Sequence, residues 1–358
     1  MRIAFVNSTR IWSGVKTWML EFGAELEKLG DMPAYFGSDA RFLDEARQAG
    51  HPAFPRAFGC DYHPGTIAWF HGRFRALKID VACLNIQKEL RTAGIAARLL
   101  GIPVVHRVGL AGDLNGKWDQ RLTHRMLVDR ILVTSRTMRE ELLAACRWIA
   151  PEAVHAIPNG KRITGQARKA KGSPVRFVIA SRLDAPKRHE DLLQALSALA
   201  GAEWPEWRLD IFGEGKRKDE LAALTVQLGI APRVRFLGFN RALPSRLEEY
   251  DFGLLTSANE GFPNTVLEYL AAGLPAIATD TGGTAEVLRP GQNGLLYQPG
   301  DVSTLRQHLR DALTLPDSRY AAWSAAALAI MEKEFDPRHL AESLHRFFAE
   351  AVHERHSA

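Results

Sequence analysis

The sequence predicts an α/β protein of two doubly wound domains, each a parallel sheet covered by helices, that face each other across a cleft. Short, nearly continuous apolar segments alternate with amphipathic helical patterns in both halves of the chain, as expected for strands buried on both faces. The 358 residues also exceed the length that one hydrophobic core usually serves. Contents of 46 % hydrophobic and 24 % charged residues are those of a globular protein.

The first predicted domain covers residues 1–165. It begins with the strand pattern RIAFVN, a polar loop and the helical pattern WMLEFGAELEKLG. The later segments IDVACLN, IPVVHRV and RILVTS predict further strands, separated by a helix RTAGIAARLLG and another around residues 117–129. A segment rich in Gly, Pro and basic residues, PNGKRITGQARKAKGSP at 158–174, then marks the linker.

The second predicted domain covers residues 166–335 and repeats the alternation. Its strand patterns are VRFVIAS, WRLDIFG, VRFLGF, FGLLTS and PAIATD, and its helical patterns include HEDLLQALSALA, KDELAALTVQLG and SRLEEY. A last helix covers 336–358, with Asp336 as N-cap and Pro337 at its first position. Because ligands bind at the carboxyl ends of such strands, we expect the functional residues in the loops that follow them.

The basic charge is confined to the first half. Residues 1–165 hold 23 Lys and Arg against 16 Asp and Glu, a difference of +7, whereas the rest hold 23 against 25, a difference of −2. This asymmetry predicts an anionic partner for the first half, either a phosphorylated acceptor or a membrane surface; the alternative is that the basic residues lie on solvated helix faces. We expect no nucleic-acid partner. One helix there crowds aromatic and basic residues, which predicts an interfacial surface or, equally, core packing of the aromatics: Trp69, Phe70, Arg73, Phe74, Arg75 and Lys78.

The cysteines and the apolar segments bear on location. Cys60, Cys83 and Cys146 share no metal-like spacing, which predicts buried thiols in a reducing cytoplasm. The N-terminal residues lack the apolar core of a signal peptide, and no apolar run is long enough to span a bilayer. We therefore expect a cytoplasmic protein, either free or peripheral at the inner face of the membrane.

The segment EGFPNTVLEYLAA, residues 260–272, carries the strongest local signal. Glu260 precedes a helix start and Glu268 lies just inside it, with Asn264 or Thr265 as the expected N-cap. A helix start offers free N–H groups and partial positive charge to a phosphate or a sugar oxygen. The loop SRLDAPKR adds Arg182 and Lys187, two cations suited to a diphosphate. Together they predict a pocket for a nucleotide sugar.

Other candidate residues follow predicted strands. Gly213, in IFGEGK, and the glycine pair of TGGTAEV would let backbone approach a ligand closely, and Gly14 lies in the first strand-to-helix loop. His106 ends the strand IPVV and could touch a reacting sugar. Three polar residues after the strand IDVACL could bond acceptor hydroxyls or phosphate: Asn85, Gln87 and Lys88.

The segments EGFPNTVLE, SRLDAPK, FGEG, RVRFLGF, DTGGTAEV and PNG together resemble the retaining glycosyltransferases of family 4. The resemblance implies the GT-B fold, two Rossmann-like domains with a C-terminal helix that crosses back to the first. It implies a catalytic set of His106, Arg182, Lys187 and Glu260. It also implies a donor site made of Gly14, Arg182, Lys187, Gly213, Leu237, Gly238, Glu260, Gly261, Phe262, Pro263, Asn264, Thr265 and Glu268.

Within this resemblance, Arg182 and Lys187 hold the donor diphosphate, Glu260 bonds the transferred sugar and Glu268 accepts from the ribose. The chain departs from the family at Ser181, usually Gly, at Arg188, and in the single glycine of the first loop. Without a DxD-like pair, no metal cofactor is expected.

The predicted reaction moves a sugar from a nucleotide-diphosphate sugar to a saccharide or glycolipid acceptor with retention, in envelope polysaccharide or lipopolysaccharide synthesis. The alternatives are an epimerase or hydrolase of the same fold and a non-catalytic nucleotide- or carbohydrate-binding protein. A dehydrogenase is opposed by the missing GxGxxG motif.

Overall fold

The computed structural model describes residues 1–240 and 242–357, apart from the side chain of Ala111. The chain forms two compact units. Unit 1 comprises Met1–Asn159 with Pro337–Ala358, and unit 2 comprises Gly160–Asp336. The boundary after Asn159 and the boundary expected after residue 165 both lie in the segment 158–174, where Gly, Pro and basic residues replace apolar ones.

In its described residues, unit 1 contains a seven-stranded sheet in which every recorded pairing is parallel. Its spatial order is β3-β2-β1-β4-β5-β6-β7, so the order reverses between β1 and β4, as in doubly wound Rossmann-like folds. The strands are β1 (Arg2–Asn7), β2 (Met32–Gly37), β3 (Ala53–Pro55), β4 (Val81–Leu84), β5 (Val104–Arg107), β6 (Arg130–Val133) and β7 (Val154–Ala156).

Helices cover both faces of this sheet. They are α1 (Gly14–Lys28), α2 (Ala40–Gln48), α3 (Pro64–Leu77), α4 (Gln87–Glu89), α5 (Ile95–Leu99), α6 (Trp118–Leu127) and α7 (Arg136–Ala145). A π-helical turn, Leu90–Gly94, joins α4 to α5, so the predicted helix RTAGIAARLLG is real but wider in its first part. Short 3₁₀ turns occur at Ala111–Asp113 and Pro151–Ala153.

Unit 2 contains, in its described residues, a six-stranded parallel sheet of order β10-β9-β8-β11-β12-β13, which reverses between β8 and β11. The strands are β8 (Val175–Ala180), β9 (Trp207–Phe212), β10 (Val234–Gly238), β11 (Phe252–Leu255), β12 (Ala276–Thr279) and β13 (Gly294–Tyr297). The helices are α8 (His189–Ser197), α9 (Lys218–Gln227), α10 (Leu243–Arg246), α11 (Asn264–Ala271), α12 (Thr284–Val287), α13 (Val302–Thr314) and α14 (Asp317–Glu334). Turns of 3₁₀ helix are Ala185–Lys187, Ala231–Arg233 and Leu247–Glu249.

The last helix, α15 (Pro337–Ser357), belongs to unit 1, as the fold prediction expects. Phe348 packs edge-on against Phe5 of β1, with ring centroids 6.4 Å apart. The guanidinium of Arg130 bonds the carboxylate of Glu350 at 2.8 Å, so an apolar stripe and an ion pair both fix the helix.

The sequence patterns predicted nine of the strands and missed four, one of six residues and three that are shorter. The strands β2, β3, β7 and β13 were not predicted, nor were α2, α4, α7, α13 and α14. In β2 the segment MPAYFG mixes Pro and Gly into its apolar residues, and β3 and β7 have three residues each, too few for a period to be visible. Their pairing with neighbouring strands, rather than local propensity, defines them.

Candidate functional site

The loops at the carboxyl edge of the unit 2 sheet are held together by backbone hydrogen bonds. The N–H of Gly213 donates to Gly238 O at 2.9 Å, and the N–H of Leu183 donates to Glu214 O at 2.9 Å. Gly213 has a φ of 136°, and a Cβ there would lie 1.9 Å from Ser181 O. Glycine is therefore required at 213 because the two loops pack closely there, whether or not a ligand also approaches it.

Lys187 and Glu260 meet at this edge. Lys187 ends the 3₁₀ turn Ala185–Lys187, and its carbonyl accepts a hydrogen bond from Thr256 Oγ1 at 2.5 Å, which fixes the turn against the end of β11. Its Nζ lies 2.5 Å from Glu260 Oε1. Both side chains are four-fifths buried, so the pair is partly shielded from water. The structure thus brings together two of the predicted catalytic residues.

Arg182 lies in the same loop and is not part of this pair. Its guanidinium is 68 % exposed and contacts Asp184 at 3.3 Å. A long exposed side chain with one partly buried partner gains little from that contact and can reorient toward an anion.

Helix α11 begins at Asn264, with Pro263 in the N-cap position. The expectation that Asn264 or Thr265 would cap the helix is wrong, because the chain enters the helix one residue earlier. Proline has no side-chain acceptor, so no side chain caps this end. Thr265 Oγ1 instead donates to Ala180 O at 3.3 Å, joining the helix start to the end of β8. Gly261, Phe262 and Pro263, which form the loop before it, are buried.

Glu268 lies one turn inside α11 and faces Lys161, with Oε1 and Nζ 3.3 Å apart. Lys161 belongs to the segment that opens unit 2. Glu268 is 28 % exposed and reachable from solvent, while Lys161 limits its orientation.

The loop after β12 is hydrogen-bonded to the loop that contains Glu260. The N–H of Gly283 donates to Gly261 O at 3.1 Å, and the N–H of Glu260 donates to Thr281 Oγ1 at 3.3 Å. Gly282 has a φ of 53°, and a Cβ there would lie 1.9 Å from Glu260 O. Gly282, which was predicted to face a ligand, thus packs against the backbone of Glu260. Leu237 and Gly238 end the edge strand β10. Leu237 is partly exposed and Gly238 has a φ of 67°, so their peptide groups are accessible to a ligand at this edge.

In unit 1, Gly14 is the first residue of α1, and a residue that the sequence analysis missed orders the loop before it. Lys16 is fully buried, and its Nζ donates to Thr9 O, Ile11 O and Asp39 Oδ2 at 2.9, 2.8 and 2.7 Å. A lysine in an otherwise apolar helix start was the available signal. Its three bonds satisfy all the donors of the ammonium group.

Glu89 connects this loop to the one after β4. Its buried carboxylate accepts from the N–H groups of Ser8 at 2.6 Å and Asn85 at 2.7 Å. Burial raises the pKa of Glu89, and these hydrogen bonds oppose the rise. The carboxylate is therefore a structural anchor for two neighbouring loops.

His106 is 1 % exposed and lies inside unit 1, at the end of β5. Its Nδ1 is 2.8 Å from His124 Nε2, and its Nε2 is 3.2 Å from Asn85 O. Burial, followed by the neighbouring His124, lowers the pKa of His106 to about 3, so the ring is neutral at pH 7. Both ring nitrogens have protein neighbours, and contact with a sugar requires one of these neighbours to move.

Several buried polar atoms at the ends of β4 and β5 lack hydrogen-bond partners, although Arg107 Nη2 donates to Asn159 Oδ1 at 3.5 Å. They are Asn85 Oδ1, both amide atoms of Gln87, and Nε and Nη1 of Arg107. Arg107 is 3 % exposed, its guanidinium lies 4.4 Å over the Trp18 ring, and burial lowers its pKa to about 10. Since Leu84 pairs with His106 in the sheet, Asn85 and Arg107 are neighbours at its carboxyl edge. Buried donors and acceptors of this kind need a water, an ion or a ligand to satisfy them.

Asn85 and Gln87 were predicted for the acceptor, and Lys88 lies half-buried in α4 beside them. Arg107 was not predicted. A basic residue after a run of apolar strand residues, next to His106, was the signal that could have identified it.

The aromatic part of the predicted interfacial surface is core. Phe70 and Phe74 are fully buried and pack against Phe36, with ring centroids 5.8 and 5.4 Å apart. The alternative of core packing is therefore correct for them. Cys60 is exposed, contrary to expectation, whereas the other two thiols are buried. Among the described helices, none is both long and apolar enough to cross a bilayer.

Two family models match the chain. Residues 12–161 match Glycosyltransferase Family 4, and residues 162–328 match Glycosyl transferases group 1. The two matches abut within the segment 158–174 and together leave only the first residues and the C-terminal part unmatched.

Relatives of assigned activity match over about half of their length. The lipopolysaccharide 1,6-galactosyltransferase of Salmonella typhimurium is 31 % identical over 195 residues, covering 52 % of this chain and 53 % of the relative. The Escherichia coli protein of the same name is 34 % identical over 184 residues, 49 % of this chain and 50 % of the relative. The chain thus spans about half the length of these curated relatives.

Solved structures match along the whole chain. A glycosyltransferase from Rickettsia africae has a TM-score of 0.86 at 15 % identity, with 98 % of both chains covered. An Anabaena protein in complex with UDP and glucose has a TM-score of 0.80 at 20 % identity, covering 98 % of this chain and 100 % of the other. At these identities the likeness establishes the fold.

Proposed function

Because the chain belongs to the family 4 glycosyltransferases and has their GT-B fold, we propose that it transfers a sugar from a nucleotide-diphosphate sugar to a saccharide or glycolipid acceptor. The relatives named as lipopolysaccharide galactosyltransferases support a role in envelope polysaccharide or lipopolysaccharide synthesis. UDP-hexoses are the first donors to test, since the Anabaena structure contains UDP and glucose.

The observation that carries the proposal is the Lys187–Glu260 pair, next to the uncapped start of α11. A donor diphosphate would take Lys187 and the N–H groups of the helix, while Arg182 turns in from solvent. Glu260, released from Lys187, would accept from the hydroxyls of the sugar. A carboxylate and an ammonium that neutralise each other in the free protein can thus exchange partners for the two halves of the donor.

The nucleoside has further partners in this proposal. Glu268 accepts from the ribose hydroxyls, and Lys161 restricts its orientation. The base lies against backbone near Gly213 and the edge formed by Leu237 and Gly238. Those contacts involve peptide groups, which any base with complementary donors and acceptors can use.

We propose retention without a metal cofactor. As the bond from the anomeric carbon to the diphosphate breaks, the bond to the acceptor oxygen forms on the same face, and the departing phosphate oxygen takes the acceptor proton. Lys187, Arg182 and the partial positive charge of the α11 start offset the charge that develops on the diphosphate. In this proposal His106 lies beside the donor sugar, and Gly14, in the first loop of unit 1, lies beside the diphosphate or the acceptor.

Acceptor binding is assigned to unit 1. Asn85, Gln87 and Lys88, with Arg107, present an amide cluster and a buried guanidinium whose Nε and Nη1 have no partners, while its Nη2 donates to Asn159 Oδ1. A hydroxylated acceptor that carries a phosphate or a carboxylate matches both parts. A location in the cytoplasm, peripheral at the inner face of the membrane, would bring the chain to such a glycolipid.

The test is transfer from a panel of nucleotide sugars to a lipopolysaccharide-derived acceptor, with the product analysed by NMR. We expect product only when donor and acceptor are both present, and the donor's anomeric configuration in the new linkage. An inverted linkage would rule out the retaining mechanism. Donor breakdown that does not depend on the acceptor would instead indicate a hydrolase.

A further inference from the structure

Helix α6 has its large apolar side chains on the outside. Trp118, Leu122 and Met126 recur every four residues and are 77 %, 50 % and 57 % exposed. The buried face is mostly polar and consists of Gln120, Thr123, His124 and Leu127. A helix that packs on a core normally shows the reverse arrangement, so the outer face of α6 is an apolar surface that this chain leaves uncovered.

Hydrogen bonds of the inner face fix this orientation. His124 Nδ1 is 2.8 Å from Gln120 O, and His124 Nε2 is 2.8 Å from His106 Nδ1. Arg91 bonds Asp119 Oδ2 at 2.5 Å and Asp61 Oδ2 at 2.7 Å, which ties the first turn of α6 to the rest of unit 1. Rotating the apolar residues inward would break these bonds and leave buried polar groups unpaired.

The apolar stripe has cations on its flank. Lys117, Arg121 and Arg125 are exposed, and none of them forms an ion pair with a described carboxylate. The one acidic residue of the helix, Asp119, is neutralised by Arg91. Trp, Leu and Met beside unpaired Lys and Arg are the composition of helices that lie in the interface of anionic membranes.

A cavity of about 530 Å³ lies beside this helix. Arg121 and Arg125 contribute to its wall, with His124 and Trp148 and the apolar residues Ile149, Ala150 and Ala153. Asp129 also lines it, but its carboxylate is paired with Arg98 at 3.2 Å and Arg355 at 3.6 Å. The cavity thus combines available cationic groups with apolar walls, which suits a phosphate headgroup attached to a lipid.

We propose that the outer face of α6 docks on a lipid bilayer that contains anionic headgroups. Trp118, Leu122 and Met126 enter the interface, and Arg121 and Arg125 bind lipid phosphates, one headgroup entering the cavity. A second copy of the chain is a poorer occupant, because two-fold pairing of this face would bring its cations against their own copies. Docking would bring the enzyme to a glycolipid acceptor in the membrane, a role that rests on the proposed function.

The test is co-sedimentation of the full chain with phosphatidylcholine vesicles, with and without phosphatidylglycerol. We expect the wild type to sediment with the anionic vesicles only, and less so at high salt. The triple variant Trp118→Ser, Leu122→Ser, Met126→Ser should lower the partition coefficient about tenfold or more, and Arg121→Gln with Arg125→Gln should remove the preference for anionic lipid. The matched control is Met32→Ser, Leu99→Ser, Val226→Ser, which removes exposed apolar residues elsewhere and should bind like the wild type.

Binding by the triple variant equal to wild type, or no binding of the wild type to either vesicle, would overturn the proposal. A wild-type dimer that the triple variant converts to monomers would assign the face to a second copy instead. Nucleotide binding, measured by thermal shift, should be equal in all variants, which would show that they are folded. Vesicle binding without sugar transfer would contradict the proposed reaction and leave the docking surface intact, so the two can fail separately.

Discussion

Lys187 Nζ and Glu260 Oε1 lie 2.5 Å apart, although 73 residues separate them in sequence. The bond joins the loop after β8 to the loop after β11, two strands that are adjacent in the sheet. Removing one partner leaves the other partly buried and uncompensated, so single substitutions affect both the free enzyme and the bound donor.

We expect Glu260→Ala to lower kcat about 100-fold, because the carboxylate bonds the reacting sugar, without weakening the binding of the nucleotide diphosphate, since Lys187 then no longer has to leave Glu260. Lys187→Met should weaken nucleotide-diphosphate binding about tenfold or more, since it removes a cation from the phosphates. Steady-state kinetics and calorimetric titration with the free nucleotide separate the two effects. Unchanged turnover in Glu260→Ala would return the chain to the class of non-catalytic binding proteins.

Glu268→Ala should act mainly on nucleotide affinity. Loss of a charge-assisted bond to the ribose predicts a Kd about tenfold higher, with kcat at saturating donor little changed. The 2′-deoxynucleotide offers a matched probe, because it lacks one of the ribose hydroxyls. If Glu268→Ala depressed kcat as strongly as Glu260→Ala does, the separate roles of the two carboxylates would be refuted.

Arg107→Met should raise the KM for an anionic acceptor about tenfold and leave donor affinity unchanged. Methionine fills the space over Trp18 and removes a buried, incompletely paired charge, so the melting temperature should be maintained or raised. A neutral version of the same acceptor should show no such rise in KM. Equal effects on both acceptors would make Arg107 a structural residue.

Gly282→Ala should disturb the active-site loop through its backbone. The new Cβ would lie 1.9 Å from Glu260 O, so we expect lower turnover and a loss of several degrees in melting temperature. Gly229→Ala is the control: its φ is also positive, at 69°, but nothing lies within 4 Å of the added Cβ. The two variants share the backbone strain, and the difference between them isolates the clash. Equal turnover in both would show that Gly282 does not support Glu260.

Stability should fall with acid because of buried neutral histidines such as His189. Burial lowers the pKa of His189 to about 4 in the folded chain, whereas its unperturbed value is 6.5, so the unfolded state binds more protons between these values. Its contribution is complete above pH 6.5 and is lost as the pH falls toward 4, about 3 kcal/mol in full. Urea titrations of wild type and His189→Gln across this range should show the shallower pH dependence in the variant. Parallel curves would contradict the lowered pKa.

The architecture was predictable where the strands are long and apolar. Segments such as RIAFVN and VRFVIA contain enough consecutive buried residues to identify a strand, and the alternation with helices implies the parallel order. The three-residue strands β3 and β7 carry no such pattern, and they exist because a neighbouring strand supplies hydrogen-bond partners.

The candidate site was predictable at the level of residue type but not of pairing. Glu260, Lys187 and Glu268 stand out by charge and position, yet only the folded chain shows that Lys187 meets Glu260 and that Lys161 meets Glu268. Lys16 and Arg107 escaped because a single basic residue in an apolar segment has no periodic signature. For α3 and α6, residue composition did not indicate which aromatic residues face outward, since that depends on the rotation of each helix in the fold.

The return of α15 to unit 1 has a consequence for synthesis on the ribosome. Residues 160–336 are contiguous, so unit 2 is complete as soon as they emerge, whereas unit 1 still lacks the helix that packs on Phe5 and pairs with Arg130. The domain translated first is therefore the one that finishes folding last. A released chain truncated after residue 336 should hold a protease-resistant second domain behind a first domain that proteases still digest.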